Sequence, residues 1–124
     1  MTIRQAIERL DELVPNVVTD ETKVQWLHYL DSRLYRDVFL SHHGTDEVAF
    51  NGYPPGVDLD TEMLAPAGYT DIYPLYLEMM VHAADGEITR YNNAMQRYNS
   101  TLIALMDDIN RHYMPKSVCG LRLV

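Results

Sequence analysis

With 124 residues, 47% of them hydrophobic and 23% charged, the chain suits a single globular domain that buries a core of its own. Ten basic residues against eighteen acidic give a formal net charge of -8, which excludes the dense positive footprint of non-specific DNA binding. One cysteine, Cys119, excludes an internal disulfide, and no run approaches the ~20 apolar residues of a membrane span.

The opening MTIRQAIERLDE is broken by charges every few residues and has no stretch of signal-peptide type, so the cytoplasm is the expected site of action. Thr2 and Gln5 have the spacing of a capping box, and Ile3, Ala6, Ile7, Leu10 and Leu13 or Val14 trace one apolar stripe. A helix is predicted over 3–13, ended by Pro15. The next starts at Thr19 or Asp20 and reaches about Leu40. Val24, Leu27, Leu30, Leu34 and Val38 form its stripe, with Trp26, Tyr29 and Phe39 widening the buried arc. The short link 16–19 predicts antiparallel neighbours.

From Ser41 to Gly68 the periodicity stops. Four of the six glycines and three of the six prolines fall here. The segment either hides a short strand or hairpin near 47–53 or forms a functional arm. Its apolar Val48, Phe50, Tyr53, Leu59, Met63 and Leu64 predict that it lies against something.

Helical spacing resumes at Thr70 or Asp71 and keeps one phase through Tyr76, Met80, Ala83, Glu87, Tyr91, Ala94, Tyr98, Leu102, Leu105, Ile109 and Tyr113. A single helix of that span would be roughly 60 Å long, so a split is expected at Asp85-Gly86 or Asn99-Ser100. Asn99-Ser100 is preferred because Asn and Ser cap new helices. Pro115 closes the last helix and leaves an apolar tail. The expected fold is all-α: a small bundle of three or four helices over 1–116, a long ordered loop at 41–68, and an extended C-terminal tail at 117–124. Leu27, Leu30, Leu34, Tyr76, Met80, Ala83, Leu102 and Leu105 are its expected core.

No constellation carries chemistry. His42, His43, Asp46 and Glu47 are the densest group of metal-ligand types, yet no second cluster completes a site, and a solvated polar turn is the preferred reading. Glu78, His82 and Asp85 share a helix face, but the Glu-to-His spacing is four rather than the three of di-iron bundles, which points to an exposed hydrogen-bonded pair. Cys119 and His112 lack a rigid platform for thiolate catalysis. No catalytic, cofactor or metal site is expected, and the chain reads as a non-enzyme that binds other proteins.

Nine tyrosines offer rings that suit either a core or an interface. Residues 41–68 carry Asp46, Glu47, Asp58, Asp60 and Glu62 and no lysine or arginine, whereas Arg111, Lys116 and Arg122 lie near the end. Such charges could complement each other head-to-tail between copies. The expected interface residues are Asp46, Glu47, Phe50, Tyr53, Asp58, Asp60, Arg111, Lys116, Val118, Leu121, Arg122 and Leu123.

Three stretches together, TIRQAIERLDELVPNVVTDETKVQWLHYLDSRLYRDV, YTDIYPLYLEMMVHAADGEITRYNNAMQRYNS and NRHYMPK, resemble the head-tail connector, or head-completion adaptor, proteins of tailed phages and prophages of Gram-positive hosts. The resemblance implies a helical, non-catalytic virion protein made in the host cytoplasm. It further implies a homo-oligomeric ring, commonly of twelve copies, that joins the capsid portal protein to a tail-completion protein and extends the DNA channel. Pro115 to Val124 would then reach the portal. Two other readings stand beside it: a regulatory protein binding a host or phage protein as monomer or dimer, and a small enzyme.

Overall fold

The computed structural model describes residues 1–116 and contains four α-helices. Helix α1 (Ile3–Leu13) starts on the predicted capping box: the Gln5 N–H donates to Thr2 Oγ1 at 3.1 Å, and the Thr2 N–H to Gln5 Oε1 at 2.9 Å. Two further amides of its open end are satisfied from far along the chain, Ile3 N–H by the Thr61 carbonyl (3.1 Å) and Arg4 N–H by that of Leu59 (2.8 Å). Its buried stripe is Ile3, Ala6, Ile7 and Leu10. Of the two residues expected at the end of that stripe, Leu13 is 55% exposed and Val14 is half-buried against the core.

Helix α2 (Asp20–Leu34) is capped by Thr19 and runs on into one π-helical turn, Tyr35–Phe39, closed by Leu40 N–H on the Tyr35 carbonyl at 2.9 Å. The predicted end near Leu40 holds, with the last turn widened by a residue. Val38 and Phe39 are buried there, whereas Tyr29 stands on the exposed face rather than in the buried arc. Lys23 is buried and ties α2 to α1 through Asp11 at 2.8 Å. Burial raises the Asp11 pKa, but hydrogen bonds from Lys23 and Asn16 outweigh it and hold the carboxyl below its ordinary range.

Helix α3 (Ile72–Ala84) packs on α1, α2 and α4, and Ile72, Tyr73, Tyr76, Leu77 and Val81 bury several sides of it. The chain turns at Asp85–Gly86 and not at Asn99–Ser100. Gly86 has φ +71, its N–H bonds the Ala83 carbonyl (3.2 Å), and the Glu87 N–H bonds that of His82 (2.9 Å). This is the Schellman arrangement, which a glycine in the left-handed region adopts at least cost. Helix α4 (Ile88–His112) passes through Asn99 and Ser100 unbroken, with both exposed.

The break at Gly86 lets α4 fold back along α3, and the phase expected to continue from Tyr76 to Tyr113 is lost. Ala83 is exposed, and Met80 and Leu102 are only half-buried, while Leu27, Leu30, Leu34, Tyr76 and Leu105 are in the core as expected. A Cβ at Gly86 meets nothing within 4 Å, so only the positive φ opposes alanine. Gly86→Ala is expected to cost about 1 kcal/mol, lowering the melting temperature by ~4 °C with an unchanged circular dichroism spectrum.

Residues 41–68 contain a 3-10 turn at Thr45–Glu47 and no strand; pairing among the described residues is limited to isolated bridges at Thr2–Glu62 and His42–Pro115. Tyr53, Met63 and Ala65 are buried in the same cluster as the helices.

Candidate functional site

Asp31 organises the middle of the molecule. It falls on the apolar side of α2 between Leu27 and Leu34, is 0% exposed, and has no cation within ion-pair distance among the described residues. Three donors satisfy it instead. The Tyr53 hydroxyl and the Leu64 N–H (3.2 Å) donate to Oδ2, and the Tyr73 hydroxyl donates to Oδ1 at 2.8 Å. Tyr73 in turn accepts the Ala65 N–H at 2.7 Å. Burial pushes the Asp31 carboxyl above its ordinary pKa despite these three bonds, and burial likewise raises both phenols.

The same contacts fix a groove beside Asp31. The Tyr53 N–H donates to His28 Nδ1 at 3.0 Å, which sets the imidazole tautomer with its proton on Nε2. Gly52, at φ +81, lies so close that a Cβ would be 2.5 Å from His28 Cε1. Past Tyr53 the chain runs through Pro54, Pro55 and Gly56 to Val57 and Leu59, leaving about 680 Å³ between this run and α2. The α2 wall carries Asp20, Glu21, Gln25, His28 and Tyr29. Tyr29 is 48% exposed, its hydroxyl accepts from Gln25 Nε2 at 2.8 Å, and its ring centroid is 5.9 Å from that of His28.

Away from the groove's lining, the end of α1 meets α3 and α4 around Glu78. The Glu78 carboxylate takes Arg97 at 2.6 Å and lies 3.5 Å from His82 Nε2. That pair was expected to be exposed, but His82 is buried (6%). His42 is buried too (7%): its Nδ1 donates to the Val38 carbonyl at 2.8 Å and its Nε2 is 2.6 Å from the Asn110 side-chain amide. The expected solvated turn is therefore a buried link from the π-helical turn to α4. Among the described residues no three His, Cys, Asp or Glu side chains converge on one point.

Of the eight expected interface residues among those described, six have partners within the chain. Asp46 pairs with Lys116 at 2.6 Å, the acidic-to-basic complement that was expected between copies, and that bond holds the Asp46 carboxyl below its ordinary pKa. Asp60 pairs with Arg4 at 2.9 Å, and Asp58 accepts the Asp60 N–H. Phe50 is half-buried, its ring 5.4 Å from Tyr35 and 5.3 Å from Tyr53. Tyr53 is buried, because its hydroxyl is drawn to Asp31, and it lines the groove. Glu47 and Arg111 are exposed. Val118, Leu121, Arg122, Leu123 and Cys119 lie outside the described residues. In the sequence the Gly52-Tyr53-Pro54-Pro55-Gly56 run marks half of this groove, and nothing local marks His28 and Tyr29 as the other half.

No family model, curated protein or solved structure matches the chain. The assignments drawn from the resemblance to phage head-tail connectors, to a virion, a portal contact and a ring, lack any supporting relative and are withdrawn on that finding.

Proposed function

We propose that the chain is a non-catalytic helical module that binds another protein through the groove between α2 and residues 52–59. The observation that carries this reading is a groove whose floor is fixed before any partner arrives. Tyr53 is held at both its amide and its hydroxyl, by His28 and Asp31, and Gly52 is packed against His28. A preformed, partly apolar surface with an exposed tyrosine on its rim has the composition of a recognition site, since ordering costs are met in folding rather than in binding. In this reading residues 41–68 act as an ordered arm that supplies one wall.

The test is site-specific crosslinking. A photoreactive phenylalanine analogue at Tyr29 is expected to capture a discrete protein in producing cells, and one at the exposed Ile103 of α4 to capture none. Val57→Asp should abolish capture at position 29 without changing the melting temperature by more than a few degrees. Equal capture from both positions, or capture that survives Val57→Asp, would refute the groove as the binding surface.

A further inference from the structure

The two walls of the groove differ in chemistry, and the difference identifies what it takes. One wall is apolar, presenting Pro54, Pro55, Val57 and Leu59; the other is α2, with Glu21, Gln25 and Tyr29 at successive four-residue intervals along one face. The groove's lining includes no lysine or arginine. Asp20 lies 3.9 Å from Lys23, whose ammonium is already committed to Asp11 at 2.8 Å. Glu21 is exposed and forms no ion pair among the described residues. The surroundings add to its field, since the whole chain carries -8.

Tyr29 offers a second feature with the same preference. Its ring stands in solvent, held by the bond from Gln25, and a ring face attracts a guanidinium or ammonium. Eight residues of helix separate Glu21 from Tyr29, a rise of about 12 Å. An extended segment places same-side residues four apart at roughly 13 Å, which matches that separation. A helix, with a diameter of about 10–12 Å, suits a groove of this volume less well than a single extended strand of chain does.

We infer, on the reading that this groove is the binding surface, that its occupant is an extended segment of a partner protein with two basic side chains four residues apart and apolar residues between them. One cation meets the Glu21 carboxylate, the other lies on the Tyr29 ring, and the apolar side chains lie against Pro55 and Val57. Arginine serves both positions better than lysine, because its planar group pairs with carboxylates and stacks on rings.

The probe is a fluorescein-labelled peptide, Gly-Arg-Leu-Pro-Leu-Arg-Gly, titrated into the full chain and followed by fluorescence anisotropy. Its counterpart has glutamate in place of both arginines. The arginine peptide is expected to bind at least tenfold tighter than the glutamate peptide, and several-fold more weakly at 300 mM than at 50 mM salt. Glu21→Gln and Tyr29→Ala should each weaken it about tenfold with melting temperatures unchanged. Equal binding of the two peptides, no binding of either, or indifference to Glu21→Gln overturns the basic partner. The groove itself is judged separately: it survives those results if Val57→Asp still abolishes crosslinking at position 29, and it fails if Val57→Asp leaves that crosslinking intact.

Discussion

Asp31→Ala is expected to cost roughly 3–5 kcal/mol and lower the melting temperature by about 12–20 °C. Alanine leaves the Tyr53 hydroxyl, the Tyr73 hydroxyl and the Leu64 N–H without their shared acceptor in a site that is 0% exposed. Each stranded donor costs about 1–3 kcal/mol, offset in part because a buried carboxylate no longer has to be desolvated. Tyr53→Phe removes one donor and should cost about 1 kcal/mol, while Tyr73→Phe also leaves the Ala65 N–H without its acceptor and should cost about 2 kcal/mol. Urea unfolding of the four proteins checks the order, and a cost below 1 kcal/mol for Asp31→Ala would show that the three bonds contribute little.

The same residue gives a pH signature with a defined sign. Its folded pKa is raised, so its contribution to stability is fully present below the unfolded value of about 3.9 and is lost as pH rises through the raised folded value. Asp11 and Asp46 have lowered values, and the stability they contribute, present above about 3.9, is lost as pH falls through their folded values. The gap in stability between the native chain and Asp31→Ala should therefore widen between pH 7 and pH 4. Below that, native stability should fall as Asp11 and Asp46 are protonated.

Local signals in the sequence served well where the cause was local. Thr2 with Gln5 and Thr19 before Asp20 placed two helix starts, because a cap is a contact between residues three apart. The single phase over 76–113 misled because periodicity reports a face and not a turn, and Gly86 was outweighed by the capping tendency of Asn99 and Ser100. The polar interior was illegible for a different reason. Asp31 meets partners 22, 33 and 42 residues away, and His42 meets Asn110 across 68. Nothing beside Asp31 in the chain shows that two tyrosines and an amide converge on it, although a carboxylate between Leu27 and Leu34 was itself a visible anomaly. The acidic residues of 41–68 look in the sequence like charge for another copy, and Asp46, Asp60 and Glu62 are instead paired within the chain with Lys116, Arg4 and the N-terminal ammonium.

Gly52→Ala tests whether the groove and the fold depend on one contact. Gly52 has φ +81, where alanine costs about 1–2 kcal/mol, and its new Cβ would meet the His28 ring at 2.5 and 2.8 Å. The ring must move or the backbone must shift, and either change breaks the bond from the Tyr53 N–H to His28 Nδ1. Loss of that bond adds about 1 kcal/mol, for a total of roughly 2–3 kcal/mol. Gly56, four residues on, has a similar φ of +83 but open space around its Cβ position, so Gly56→Ala bears the backbone cost alone. The pair separates strain from packing: only Gly52→Ala should displace His28 and Tyr53, visible as shifted imidazole resonances. It should also abolish binding of the arginine peptide and crosslinking at position 29, while Gly56→Ala retains both. If the two variants lose the same stability and the His28 resonances stay in place, the glycine contact does not set the groove floor, and the groove cannot be called preformed.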